Sequence, residues 1–182
     1  MSDGPKPPTI PGYVMLELLA RGGMGEAWLA QRTDTPGLRV VKRLLGRHHG
    51  VASIRQRVLR EAQIGVHLDH PNLVRTVDAG VTGDDVHVVT EYLPGKDLEA
   101  LAHTLARSRR PFPAGVAARI LVEVLRGLEA AHAARDASGR SLGLVHRDLS
   151  PRNVQLGFDG RVAVIDFGLA SARIGHLHTE PG

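Results

Sequence analysis

Two aspartate-bearing tripeptides stand late in the chain: His146-Arg147-Asp148, with Asn153 five residues after its aspartate, and Asp166-Phe167-Gly168 at the end of a short apolar run. Far upstream, Lys42 sits in a strand-like stretch between Val41 and Leu44, behind a glycine-rich turn, Arg21-Gly22-Gly23-Met24-Gly25. Phosphoryl transfer asks for little covalent help and much positioning: a carboxylate near the acceptor hydroxyl, oxygen ligands for Mg²⁺, and cations on the phosphates. Asp148, Asn153, Asp166 and Lys42 supply that inventory.

Each piece has a plainer reading when taken alone. The glycine turn could be an ordinary hairpin, and the strand-like run after Gly25 disfavours a dinucleotide fold, in which the glycines would open a helix. A lysine in a strand is usually just a solvent-facing residue. Glu61 changes that reading, because it falls beside the buried stripe of its helix, where a lone carboxylate is costly to desolvate and calls for a cation such as Lys42. The order of the pieces, glycine loop, lysine, helical glutamate, His-Arg-Asp with its asparagine, then Asp-Phe-Gly, is far more specific than any one of them.

These residues need elements to hold them. Residues 1–9, with three prolines and one glycine, form a flexible tail. Strands are expected over Tyr13 to Leu19, Ala27 to Gln31 and Leu38 to Leu44, and a helix from Val51 to Leu68, where Val51, Ile54, Val58 and Ala62 are spaced by three or four. Val74 to Asp78 and Val86 to Glu91 read as a further hairpin, and Leu93-Pro94-Gly95 as a linker. Helices follow over Asp97 to Arg107 and Ala114 to about Ala134. The second carries a broad apolar stripe through Ala117, Ile120, Leu121, Val124, Leu125, Leu128 and Ala131. Val154 to Gly157 and Val162 to Ile165 close the pattern as short strands.

Composition excludes several classes. With no cysteine among 182 residues there is no disulfide framework, thiolate metal site or cysteine nucleophile. No apolar run is long enough to span a bilayer and the start is not a signal sequence, so a cytoplasmic location is expected. The formal charge of +4 raises nucleic acid as a partner. However, the arginines at 55, 57 and 60 and at 107, 109 and 110 lack interleaved aromatics that could stack on bases, and they read as solvated faces.

From about Ile10 to Gly182 the chain resembles the eukaryotic-like serine/threonine protein kinases of bacteria. The resemblance implies an α+β, two-lobed fold: a β-rich N-lobe with one helix and a hinge over 10–93, then a partial helical C-lobe over 94–182 that ends within the activation segment. It implies ATP and Mg²⁺ as cofactors and a protein substrate. Leu19, Ala20, Gly22, Gly23, Gly25 and Ala27 would belong to the phosphate-covering loop. Lys42 would hold the α and β phosphates with Glu61 as its partner, Val40 would border the adenine slot, and Thr90 would be the gatekeeper. The hinge, Glu91 to Leu93, would bind adenine through its backbone. Asp148 would be the catalytic base, Asn153 and Asp166 the Mg²⁺ ligands, and Arg147 a reader of activation-loop phosphorylation.

Some positions depart from the family pattern. Ala20 replaces the first loop glycine, Ala27 a valine, and Val40 a smaller residue, so weaker nucleotide binding is expected. Ser150 stands where serine/threonine kinases place a catalytic-loop lysine. Arg152, four residues after Asp148, sits where tyrosine kinases place an arginine, and is expected to substitute. Thr179 is a candidate phosphorylation site. Only fourteen residues follow Gly168, so Ile120, Leu121, Val124, Leu125 and Leu128 are expected to lie uncovered, leaving the chain unstable, self-associating or completed by another polypeptide. The rival readings are a non-catalytic ATP-binding regulatory module or inactive fragment, an aminoglycoside-type phosphotransferase, and a basic nucleic-acid-binding domain.

Overall fold

The computed structural model describes residues 6–22, 25–44, 59, 65–66, 68–83, 85–136 and 138–166. Short apolar runs and tight turns give five antiparallel strands in the first half: β1 (Tyr13–Gly22), β2 (Gly25–Arg32), β3 (Leu38–Leu44), β4 (Thr76–Thr82) and β5 (Asp85–Glu91). They form one sheet in the order β1-β2-β3-β5-β4. β3 therefore pairs with β5 rather than with its successor in the chain, placing Lys42 opposite Ala27 on one side and Val88 on the other. β1 carries two register irregularities against β2, on either side of Glu17 and Leu18. Such bulges bend a strand and increase its twist.

Ile10, Ala30, Val41 and Val89 make one small core of this lobe, and Leu44, Val86 and Val88 a second, onto which Leu59 packs. Leu59 is one of the few described positions of the helix expected over Val51 to Leu68. Most of that segment, Glu61 included, lies outside the described residues, as do Gly23, Phe167, Gly168 and Thr179.

The expected linker at Leu93-Pro94-Gly95 is partly a strand. Gly95–Asp97 forms β6, which pairs with β7 (Val154–Gly157), itself paired with β8 (Val162–Val164). Glycine is required at 95, because a Cβ there would lie 2.0 Å from the Leu156 carbonyl oxygen. Asp97 ends the strand and caps α1 (Leu98–Arg107), accepting the Ala100 N–H at 2.7 Å; such a cap contributes about 1 kcal/mol.

α2 (Ala114–Ala133) lies against β8. Its stripe divides into two. Ile120, Val124 and Ala131 are buried with Leu73, Val154, Val162 and Val164, whereas Leu121 and Leu125 are 61% and 62% exposed. The expectation that Ile120 and Val124 would be uncovered is thus corrected. The 70–74 segment and the small sheet cover that half of the stripe, and Leu128 is partly buried beside them. Gly127 lets the loop approach closely, since a Cβ there would meet the Asn72 carbonyl oxygen at 2.6 Å. No helix among the described residues is long and apolar enough to cross a membrane.

Candidate active site

A cleft of about 690 Å³ lies between the five-stranded sheet and the small sheet. Leu19, Ala20, Gly22, Gly25 and Ala27 of the β1–β2 hairpin line it together with Val40 and Lys42 of β3. Thr90, Glu91, Tyr92 and Leu93 line the side where the chain crosses between lobes, and Asn153, Gln155, Ile165 and Asp166 line the opposite lobe. Every described position expected to contact nucleotide therefore borders one cavity, of a size that accommodates a small-molecule ligand. Gly25 is fixed by space, because a Cβ would fall 2.1 Å from the Arg43 carbonyl oxygen. Within the hinge, Gln155 donates to the Leu93 carbonyl at 3.3 Å, and the Leu93 N–H makes no hydrogen bond among the described residues.

Lys42 reaches the far lobe, where its Nζ contacts the Asp166 carboxylate. Burial pulls the Lys42 ammonium from its ordinary 10.5 down to about 7, and the adjacent carboxylate opposes that by favouring the charged form. Asp166 adopts a left-handed backbone with φ of 69°, as does Arg147 with φ of 59°. Such conformations are uncommon for residues with side chains and cluster at functional sites.

The loop before β7 is held by hydrogen bonds that set the direction of its side chains. His146 is buried, and desolvation lowers its pKa, which favours the neutral ring. Its Nε2–H donates to the Ile165 carbonyl at 2.8 Å, and Nδ1 accepts the Asp148 N–H at 3.3 Å. One imidazole thereby joins the turn bearing Asp148 to the residue before Asp166. Asn153, on the 3-10 turn Pro151–Asn153, donates from Nδ2 to both the Asp148 carbonyl (2.7 Å) and Asp148 Oδ2 (3.0 Å). With both amide protons committed, its Oδ1 remains as an acceptor only.

Asn153 Oδ1 and the Asp166 carboxylate are hard oxygen donors of the kind Mg²⁺ takes, in small number, alongside water and substrate phosphates. The described residues contain no cluster of three or more His, Cys, Asp or Glu that could cage a metal by themselves, and a phosphate-sharing cation does not need one. Arg152 also borders the cleft, but its Nε is engaged by Glu99 of α1 at 2.5 Å in an exposed ion pair. The partner expected for Lys42, Glu61, lies outside the described residues. Two features escaped the sequence. Asp166 as the contact of Lys42 bridges 124 positions and leaves no local pattern, and Gln155 on the hinge carbonyl is an ordinary strand residue whose role only the β6–β7 pairing reveals.

A lysine and an aspartate thus meet across the cleft of a two-lobed α+β fold, beside a second aspartate held by an asparagine. The sequence matches the protein kinase domain family over residues 13–179, and the chain belongs to that family. It is 34% identical over 173 residues to the tyrosine-protein kinase MasK of Myxococcus xanthus, covering 93% of this chain and 27% of that protein. With the serine/threonine-protein kinase PknI of Mycobacterium tuberculosis it shares 30% identity over 167 residues, covering 90% and 27%. The crystal structure of the PknI kinase domain superposes with a TM-score of 0.75 at 30% identity, covering 89% of this chain and 62% of that one. The chain thus spans about a quarter of the length of these relatives.

Proposed function

We propose that the chain transfers the γ-phosphate of Mg-ATP to a serine or threonine hydroxyl of a protein substrate. The observation that carries this reading is the contact of Lys42 with Asp166 at the back of a cleft in which Asn153 also orients Asp148. Adenine would bind the backbone of Glu91–Leu93 beneath Val40, and the β1–β2 hairpin would lie over the phosphates. Lys42 would place its charge on the α and β phosphates. Asp148, held by two hydrogen bonds from Asn153, would accept the proton of the acceptor hydroxyl as its oxygen attacks. Asn153 Oδ1 and Asp166 would hold Mg²⁺, which neutralises phosphate charge when bound. Arg152 would supply the cation missing at Ser150, exchanging Glu99 for the transferring phosphate. The division into an N-lobe with hinge over 10–93 and a partial C-lobe over 94–182 belongs to the same reading. Leu121 and Leu125 favour further polypeptide covering their face.

A second reading is transfer to tyrosine. It is favoured by Arg152, and by MasK being named a tyrosine-protein kinase. The test of both is phosphotransfer from labelled Mg-ATP to a mixed protein acceptor by monodisperse chain, beside Asp148→Asn and Arg152→Ala, with the labelled residue identified after acid hydrolysis. Phosphoserine or phosphothreonine lost in Asp148→Asn supports the first reading, and phosphotyrosine the second. An unchanged rate in Arg152→Ala removes Arg152 from the site. Folded chain that binds Mg-ATP without transfer leaves a regulatory nucleotide-binding module or an inactive fragment.

A further inference from the structure

Arg161 lies in the turn between β7 and β8, outside the cleft lining, and the chemistry above makes no use of it. Its guanidinium makes three hydrogen bonds of 2.7 Å: Nε to the Pro71 carbonyl, and one terminal nitrogen to both the Leu73 carbonyl and Oε1 of Glu91. Its own backbone N–H is fixed by Asp159 Oδ1 at 3.0 Å. Glu91, the last residue of β5, is gripped from a second direction. Its Oε1 accepts the Arg75 N–H at 3.0 Å, and its N–H donates to the Arg75 carbonyl at 3.0 Å. The two charged side chains are 27% and 25% exposed, so solvent screens them only in part. Burial alone would raise the Glu91 carboxyl, but the bonds from Arg161 and the Arg75 N–H outweigh it and hold the group below the usual glutamate range.

Three stretches distant in sequence therefore converge on one planar cation: the 71–75 segment, the start of the hinge, and the turn whose outgoing strand leads to Asp166. We propose that Arg161 is a positioning residue for the nucleotide, pinning the hinge end of β5 to the strand that carries Asp166 and so fixing the spacing between the adenine-facing backbone and the phosphate-facing carboxylate. A guanidinium suits this task because its rigid fork addresses two carbonyls and a carboxylate at once, which an ammonium on a flexible stem does not. The inference rests on the cleft being the nucleotide site. It goes further in assigning a residue that touches neither end of the ligand to the ligand's fit.

The test is binding of Mg-ATP, adenosine and Mg-triphosphate by titration calorimetry to the 182-residue chain and to Arg161→Met, Arg161→Lys and Glu91→Gln, with thermal melting of each. In Arg161→Met, binding of Mg-ATP, which spans both ends, is expected to weaken about three- to tenfold, the worth of one ordinary hydrogen bond, while adenosine and Mg-triphosphate, each meeting one end, stay within about twofold. Arg161→Lys should fall between. In the double variant with Glu91→Gln, the losses should be less than multiplicative, marking one shared interaction. If Arg161→Met melts near room temperature, Arg161→Lys carries the comparison. Adenosine and Mg-triphosphate weakened as much as Mg-ATP would show general loosening and overturn the assignment, as would unchanged affinity for all three. Folded parent chain that fails to bind Mg-ATP would overturn the nucleotide reading itself, and this inference with it. Parent binding with an unaffected Arg161→Met overturns this inference alone.

Discussion

Replacing Asp166 with asparagine should lower further the pKa of Lys42, an amine that already titrates near neutrality. Burial sets the Lys42 value at about 7 against an ordinary 10.5. At about 1.36 kcal/mol per factor of ten, that corresponds to a desolvation cost of roughly 5 kcal/mol for the ammonium. The side chain keeps 16% of its surface open, which makes this figure an upper value and also admits a labelling reagent. A contacting carboxylate returns roughly 4 kcal/mol or somewhat more at an effective dielectric of about 20. With that carboxylate in place Lys42 still titrates at about 7, and taking it away removes part of what holds the proton. In Asp166→Asn the shape persists and the charge does not, so the midpoint should fall below the parent's value of about 7. The assay is pulsed acetylation across a pH series, with the Lys42 peptide quantified by mass spectrometry. Unfolding cannot mimic the result, because an unfolded lysine would label near its ordinary value. The sign of the stability change follows. Between about 7 and about 10.4 the unfolded chain binds more protons than the native one, so stability should rise with pH through that window, and in Asp166→Asn the window should open at a lower pH. A labelling midpoint equal in variant and parent would refute the reasoning.

Gly25→Ala drives a Cβ to 2.1 Å from the Arg43 carbonyl oxygen, and is expected to cost about 2–4 kcal/mol and weaken Mg-ATP binding, read by thermal melting and calorimetry. Asn153→Asp removes the donor to Asp148 Oδ2, now at 3.0 Å, and sets two carboxylates together, so phosphotransfer by an active chain should drop about tenfold or more in a steady-state assay. Val124→Ala, at a position 6% exposed, should lower stability by roughly 1–3 kcal/mol in a denaturant titration. Leu121→Glu with Leu125→Glu, both on the open face, should change it by about 0.5 kcal/mol or less.

Much of this was legible in the residues. The short apolar runs around Val41 and Val88 and the spacing of Ile120, Val124 and Ala131 along one helix face are local patterns, and local burial produces them. The protein kinase family and two-lobed fold followed from five short motifs in one order, and the family match over residues 13–179 agrees. Long-range pairing was less legible. Nothing near Leu44 says that β3 will pair with β5 instead of β4, since both are apolar runs of similar length. Gly95 was read with the linker and Asp97 with the helix, because three residues beside a proline carry too little pattern to mark a strand, and only the partner Val154–Gly157 makes them one. The stripe on α2 was visible, but sequence periodicity cannot tell which half of a wide apolar face meets a neighbour. Arg161 was invisible for a related reason. Its partners lie 70 to 90 positions away, and an arginine after Asp159-Gly160 has the composition of any turn.

The 70–74 segment belongs by chain order to the first lobe, yet it is built into the second. Leu73 bridges Val164 in parallel, Val74 and Asn72 exchange backbone hydrogen bonds with Val164, and the Asn72 amide bonds both Glu123 and the Val162 carbonyl. The crossing at Glu91–Leu93 is therefore an articulation in the finished molecule without being a boundary between folding units. A ribosome that has released everything up to the hinge has made a lobe whose 70–74 segment still lacks its partners, and the strand that pairs with it lies about ninety residues beyond that segment. Closure entropy makes such distant contacts slow to form. The cleft can take shape only when β8 arrives, so the last strand to be synthesised of those described is the one that completes both halves at once.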